Sequence, residues 1–165
     1  MAKKKKKDVV DAGEMLVCTN PKAKRQYEIV ERIECGMVLA GSEVKSLRAR
    51  AASLEAAHAG IDKMQLYLYG MHIGPYEQAG RFGHESRRRR KLLAHKREIE
   101  RLVGKVSQKG FTLVPIRVYF KKGRAKVELG LGRGVKTGDT RESLKRKVDM
   151  REAKAAMEKS RSRNA

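Results

Sequence analysis

The stretch Val114-Pro-Ile-Arg-Val-Tyr-Phe-Lys-Lys-Gly-Arg-Ala-Lys-Val-Glu-Leu-Gly-Leu131 decides the fold class. Val114, Ile116, Val118 and Phe120 alternate with Pro115, Arg117 and Tyr119. After Lys121-Lys122-Gly123-Arg124, Ala125, Val127, Leu129 and Leu131 alternate with Lys126, Glu128 and Gly130. A period of two sends successive side chains to opposite faces of a strand. Two such runs joined by a short glycine-bearing turn predict an antiparallel hairpin.

Working outward, a second strand pair is expected from Tyr27 to Leu39 and through Gln65 to Ile73, where Leu66, Leu68 and Met71 mix with Tyr67 and Tyr69. A helix is expected over about Glu85 to Lys105. There Leu92, Ile99 and Val103, flanked by Leu93 and Leu102, make a one-sided stripe, and Gly104 and Gly110 supply stop signals. A short helix is expected around Glu43 to Arg48, with Val44, Leu47 and Ala51 on one face. Many strands with few helices predict a mainly β protein, a small antiparallel barrel of the oligonucleotide-binding class. Beyond Gly134 the chain is charged and has no aromatic residue, a composition that cannot offset its own ordering entropy. Residues 14–134 are therefore read as the barrel domain, residues 1–13 as a flexible basic arm, and residues 135–165 as a basic tail, disordered when free and conditionally helical.

Forty Lys and Arg against 19 Asp and Glu give a formal charge of +21. A surface this positive attracts polyanions by displacing their condensed counterions. The basic excess falls in four places: the first 25 residues, Arg81 to Arg101, the hairpin from Arg117 to Lys126, and the tail. In the run Arg87 to Arg90, mutual repulsion disfavours a helix unless a polyanion relieves it. No apolar run approaches the roughly 20 residues that span a bilayer, and Lys3 to Lys7 lead into Asp8-Val9-Val10-Asp11, not the apolar core of a signal peptide. The chain reads as a cytoplasmic nucleic-acid binder with no membrane partner. Its tyrosines, Tyr67, Tyr69 and Tyr76 among them, can serve either as stacking platforms or as core.

No enzymatic constellation is present. His58, His72, His84 and His95 lack a metal-ligand spacing and read as surface or RNA-facing residues. Cys18 and Cys35 lack a CxxC spacing and a base partner, and read as core thiols. Gly130, Gly132 and Gly134 neither complete GxGxxG nor open a phosphate loop. No cofactor and no metal are expected. Composition alone leaves a general ribosomal or ribosome-assembly protein, and a barrel-type nuclease, as alternatives.

Four strings carry a resemblance. Gly41-Ser-Glu-Val-Lys-Ser-Leu-Arg48 resembles the GTEVKSLR signature of the small protein B family. Met71-His-Ile-Gly-Pro-Tyr-Glu-Gln78, followed by Arg81-Phe82 and His84, is similar to the same family's pattern. Arg89-Arg-Lys-Leu-Leu-Ala-His-Lys-Arg-Glu-Ile99 resembles its RTRKLLLHKREI. Gly110-Phe-Thr-Leu-Val-Pro115 with Gly123-Arg-Ala-Lys-Val-Glu-Leu-Gly130 resembles its last two strands. The matches are collinear and cover about residues 15–141.

The resemblance implies an oligonucleotide-binding-type barrel of about six strands with about three flanking helices. It implies binding to the tRNA-like domain of transfer-messenger RNA and delivery of that RNA to stalled ribosomes, where the tail probes the empty decoding site and messenger channel. The partners implied are transfer-messenger RNA, the stalled ribosome with its small-subunit RNA, and elongation factor Tu indirectly through the charged RNA; the protein is expected to be a monomer. Lys22, Lys24, Arg25, Lys45 and Arg48 suit phosphate contacts, and Asn20 suits a base edge or a ribose 2′-OH. Glu34 matches a family position linked to RNA binding, where a carboxylate would orient a basic side chain or accept from a base amino or 2′-OH group; its other reading is a structural ion pair. His95, Lys96, Arg97, Lys121, Arg124 and Lys126 are generic phosphate contacts, and Lys136, Asp139, Arg141, Lys145, Arg146 and Lys147 are the ribosome-contacting tail residues. Departures from the pattern are Pro21, where a basic residue is common, and Val135, Gly138 and Thr140 in the segment that approximates GKKxYDKR.

Overall fold

The structure is a computed structural model that describes residues 13–108, 110–135 and position 150. The chain divides into two compact units, Met1–Gly134 and Val135–Ala165, and the account below concerns the first. Lys136 to Lys147 and the Lys3 to Lys7 run lie outside the described residues, as does all of the conditionally helical tail but Val135 and Met150.

In chain order the elements are β1 (Glu14–Thr19), α1 (Ala23–Gln26), β2 (Tyr27–Met37), α2 (Gly41–Arg48), β3 (Ala52–Ser53), β4 (His58–Asp62), β5 (Gln65–Tyr69) and β6 (His72–Ile73). A 3₁₀ segment (Glu77–Phe82), β7 (Arg90–Leu93), α3 (Lys96–Val106), β8 (Phe111–Lys121) and β9 (Arg124–Gly134) complete it.

The β8–β9 hairpin forms as its alternation predicts and is longer, paired from Phe111↔Arg133 to Lys121↔Arg124. Its two turn residues both have positive φ, Lys122 at 49° and Gly123 at 73°. That is the turn whose twist matches the flanking strands, and glycine takes its second position without strain. Pro115 has no N–H to give, and it stands at a β8 bulge in the gap between two neighbours, β1 and β4.

All pairings are antiparallel, and seven strands join in the order β1-β8-β4-β5-β7-β2-β9, with β8 also paired to β9. β3 and β6 form a separate pair. The expected pairing of Tyr27–Leu39 with Gln65–Ile73 is corrected: β2 lies between β9 and β7, β5 lies between β4 and β7, and His72–Ile73 goes to β3. The inward faces bring Ile33, Cys35, Leu66, Leu68, Leu92, Leu113, Val118, Val127 and Leu129 into one core.

The helix expected from Glu85 to Lys105 is also corrected. Residues 90–93 are a strand and the helix begins at Lys96. In β7, Arg90 and Leu92 are buried while Lys91 and Leu93 are exposed, which is period two, not 3.6. The helical stripe survives only in α3, where Ile99 and Leu102 are buried. Glu98 Oε2 accepts from His95 N at 2.9 Å and caps the start of α3. The short helix expected at Glu43 to Arg48 is α2, begun two residues earlier.

Candidate nucleic-acid interface

α2 is fixed from below by charge. Glu43 is fully buried, and its carboxylate accepts from Ala40 N (2.7 Å), Arg88 Nε (3.0 Å), Arg88 Nη2 (2.5 Å) and Arg90 Nε (2.9 Å). Burial alone would raise the Glu43 pKa, but the donors from Arg88, Ala40 and Arg90 outweigh it and hold the group below its usual range. Arg90 is itself fully buried and donates through Nη1 to Met71 O (2.7 Å) and Arg88 O (3.1 Å), and through Nη2 to Ser86 O (3.0 Å). One carboxylate and one guanidinium thus tie α2, β7 and the segment before β7 together. The Arg87 to Arg90 run is relieved partly from within: Arg88 and Arg90 turn in to Glu43, while Arg87 and Arg89 remain exposed. That Glu43 organises basic side chains and a helix start is legible in so basic a chain, but its partners Arg88 and Arg90 are not, because no local pattern marks a partner more than 40 residues away.

The outer side of α2 carries the cations expected there. Lys45 lies over the Tyr76 ring at 5.0 Å and Arg48 over the Phe120 ring at 5.9 Å, both side chains being exposed. Phe120 precedes Lys121 at the hairpin turn, so Arg48 is brought to the end of the sheet that carries Lys121, Arg124 and Lys126. Gly36 pairs with both Lys126 and Leu93, which sets the start of α3, with exposed His95, Lys96 and Arg97, beside the same end.

Glu34 stands at the centre of this surface. It accepts a hydrogen bond from the Tyr119 hydroxyl and lies 3.4 Å from both Lys121 Nζ and Lys126 Nζ. The Tyr119 hydroxyl, with the two lysines, lowers the Glu34 pKa, while burial and Glu34 push Tyr119 up. Glu34 is thus ion-paired, and its partners are two of the lysines expected to contact phosphates. Residues 117–126 contain no acid, but the register sets acidic side chains from other strands and from β9 beside these cations. Arg117 binds Glu128 and lies 3.2 Å from Glu14, Arg32 reaches Glu128 at 3.1 Å, and Lys121 also lies 3.4 Å from Glu14. Charge alternation across strand neighbours cannot be seen before the register is known.

The third group, on and before α1, sits at the other end of β1. Thr19 pairs with Arg117 while Glu14 pairs with Lys121, and a six-residue strand spans about 20 Å. Asn20 is buried: its N donates to Ile116 O (2.7 Å), its Nδ2 to Pro115 O (3.2 Å), and its Oδ1 accepts from Ala23 N (3.2 Å). The side chain expected to read RNA is thus engaged in holding α1 to the bulge of β8. Lys22 is ion-paired with Glu55, and Lys24 and Arg25 are exposed. Leu16, Pro21, Lys24, Arg25, Ile116 and Arg117 are among the residues lining a cavity of about 450 Å³.

Both thiols are pushed up by burial, Cys18 to about 11 and Cys35 to about 12, so neither is a ready nucleophile. Among the described residues, no three of His, Cys, Asp and Glu gather to hold a metal, and no helix is long and apolar enough to cross a membrane.

The family model described as SmpB protein matches residues 17–159. An SsrA-binding protein of Desulforudis audaxviator (strain MP104C) is 53% identical over 144 residues, covering 87% of this chain and 94% of that protein. An SsrA-binding protein of Geobacter sulfurreducens is 51% identical over 151 residues, covering 91% and 99%. A chain of a solved structure described as "tmRNA-SmpB: a journey to the center of the bacterial ribosome" is 46% identical, with a TM-score of 0.62, and the match covers 76% of this chain and 87% of that one.

Proposed function

The chain belongs to the SmpB protein family, and from that premise we propose that it binds transfer-messenger RNA, the SsrA of its relatives' name, and acts with it on stalled ribosomes in trans-translation. The observation that carries this is the match to SsrA-binding proteins along nearly their whole length. The protein acts by binding and positioning, without covalent chemistry.

In this reading the sheet is a barrel of the oligonucleotide-binding class. The succession of pairings β8–β4, β4–β5, β5–β7, β7–β2, β2–β9 and β9–β8, which returns to its starting strand, supports it. Residues 14–134 are the binding domain, flanked by the arm 1–13 and the tail 135–165. The tRNA-like domain of the RNA contacts Lys22, Lys24 and Arg25 at one end of β1, and Lys45, Arg48, His95, Lys96, Arg97, Lys121, Arg124 and Lys126 at the other. Asn20 and Glu34 act through these cations, Asn20 by fixing α1 and Glu34 by holding two lysines toward the phosphates. Lys136, Asp139, Arg141, Lys145, Arg146 and Lys147 serve the ribosome, entering the empty decoding site and messenger channel. The protein works as a cytoplasmic monomer and meets elongation factor Tu only through the charged RNA.

The test is truncation after Gly134, with two assays. Binding to free transfer-messenger RNA is expected to persist while tagging on stalled ribosomes is lost. Equal loss of both would put the tail in the RNA-binding surface. Sequencing of RNA crosslinked to the full-length protein in cells should return one abundant structured RNA; a broad spread over ribosomal RNA would favour a general ribosomal role.

A further inference from the structure

The outer face of β4, β5 and β7 carries an aromatic row that the function above does not use. His58 pairs across with Tyr69, and Gly60 with Tyr67, which in turn faces Lys91. Their neighbours Ala59, Leu66, Leu68 and Leu92 are buried, so period two turns His58, Tyr67, Tyr69 and Lys91 outward. The His58 and Tyr69 rings are stacked, 5.3 Å apart and 14° from parallel. Tyr67 lies 6.2 Å from Tyr69, and the Arg89 guanidinium sits 5.1 Å over the Tyr67 ring. A Cβ on Gly60 would come within 3.3 Å of Tyr69 Cε2, so the absent side chain gives that ring its place. Tyr67 is held by a 2.7 Å bond from its hydroxyl to Gln65 Oε1.

Cross-strand aromatic pairs support a sheet on their own. That account covers Tyr67 and Tyr69 but gives no reason for a guanidinium held over Tyr67 with exposed Lys91 across from it. Asp62, across from Gln65, is the acidic residue of the β4–β5 pair and lies at its turn. Pre-stacked rings flanked by cations match the means by which proteins hold unpaired bases, whose faces stack on aromatics while phosphates meet Arg and Lys. We propose that His58, Tyr67 and Tyr69 form a stacking surface for unpaired nucleobases of RNA, with Arg89 beside it to meet a phosphate, separate from the cationic surface around Glu34.

The test uses the full-length protein and a single-stranded uridine octamer carrying one 2-aminopurine, whose fluorescence falls when it stacks. Quenching is expected on binding, together with amide shift changes over residues 58–69 and 89–91. Tyr67→Leu should abolish the quenching and weaken binding roughly five- to hundredfold, the range that corresponds to one lost base stack. Tyr67→Phe should keep both. Arg89→Gln should keep the quenching and make the slope of log affinity against log salt shallower by about 0.7, one phosphate on a single strand. The proposal is overturned if the shifts are confined to residues 20–25 and the Glu34 surface, if Tyr67→Leu binds unchanged, or if Tyr67→Phe fails as badly as Tyr67→Leu. A tRNA-like-domain fragment titrated in parallel reports separately on the function proposed above.

Discussion

Replacing Glu43 by Gln keeps the shape of the side chain and removes its charge from under two arginines. In the native protein its carboxylate collects four hydrogen bonds, three of them from Arg88 and Arg90, and both Glu43 and Arg90 are fully buried. Removing one partner of a buried pair leaves the other charge uncompensated, which costs about 3–5 kcal/mol. For a folded unit of this size, that corresponds to a fall of roughly 10–20 °C in Tm. Arg90→Met should cost a similar amount, because it takes one of two guanidiniums from the buried Glu43 and removes the donors of Met71 O, Arg88 O and Ser86 O. The double variant should lose at least ~1 kcal/mol less than the sum of the two, since Glu43→Gln leaves the buried Arg90 without its carboxylate and Arg90→Met removes that stranded charge. Urea unfolding followed by circular dichroism measures all three. The pH dependence has a fixed sign. Glu43 has a lowered folded pKa, so its contribution is present above the ordinary carboxylate pKa of about 4.3 and is lost as pH falls through the folded value. Glu43→Gln should flatten that acid limb. A loss below ~1 kcal/mol, or strict additivity, would refute the account of α2 as anchored by charge.

Three further outcomes follow from single contacts. Ser46 Oγ is buried with no hydrogen-bond partner among the described residues, so Ser46→Ala should be neutral or stabilising by up to about 1 kcal/mol in the same urea assay; a clear loss would reveal a partner. Tyr119→Phe removes the largest influence holding Glu34 down, and a carboxyl NMR titration should find the Glu34 pKa moved up toward the ordinary value; an unmoved titration would assign the effect to Lys121 and Lys126. A Cβ at Gly132 would meet Tyr27 Cβ at 3.0 Å and Ile29 Cδ1 at 3.1 Å, so Gly132→Ala should cost about 1–3 kcal/mol and shift the melting curve down.

The hairpin from Phe111 to Gly134 was legible because its alternation is local and both strands carry it. So was α2, whose signal lies within eight residues. The region from Arg87 to Leu93 was not. Leu92 and Leu93 look like one patch of a helical stripe, yet one is buried and the other is 54% exposed. Arg90 reads as surface until Glu43, distant in sequence, is found beside it. The pairing of β2 was misread for a related reason: period two tells which face is inside but not which strand is next. At the site, the residue types were legible and their engagement was not. Asn20 suits a reader of RNA by residue type, but its bonds to Pro115 O and Ala23 N could not be read before β8 and α1 were placed. The lysines of the hairpin looked unopposed until register set Glu34, Glu14 and Glu128 among them.

The order of strands has a consequence for how the protein is made. β1 has its partner in β8, and β2 runs along β9 for nearly its whole length, so the first strands synthesised wait on the last. The Asn20 bond to Pro115 spans 95 residues and the Arg32–Glu128 pair spans 96. Before β9 is made, a growing chain can join β4, β5, β7 and the end of β2, and later β8 with β1, but it lacks the long β2–β9 and β8–β9 pairings that complete the sheet. Folding must therefore come late in synthesis and in one concerted step dominated by distant contacts, the kind that is intrinsically slow. Until then, the edges of β1 and β2 stay open to other chains.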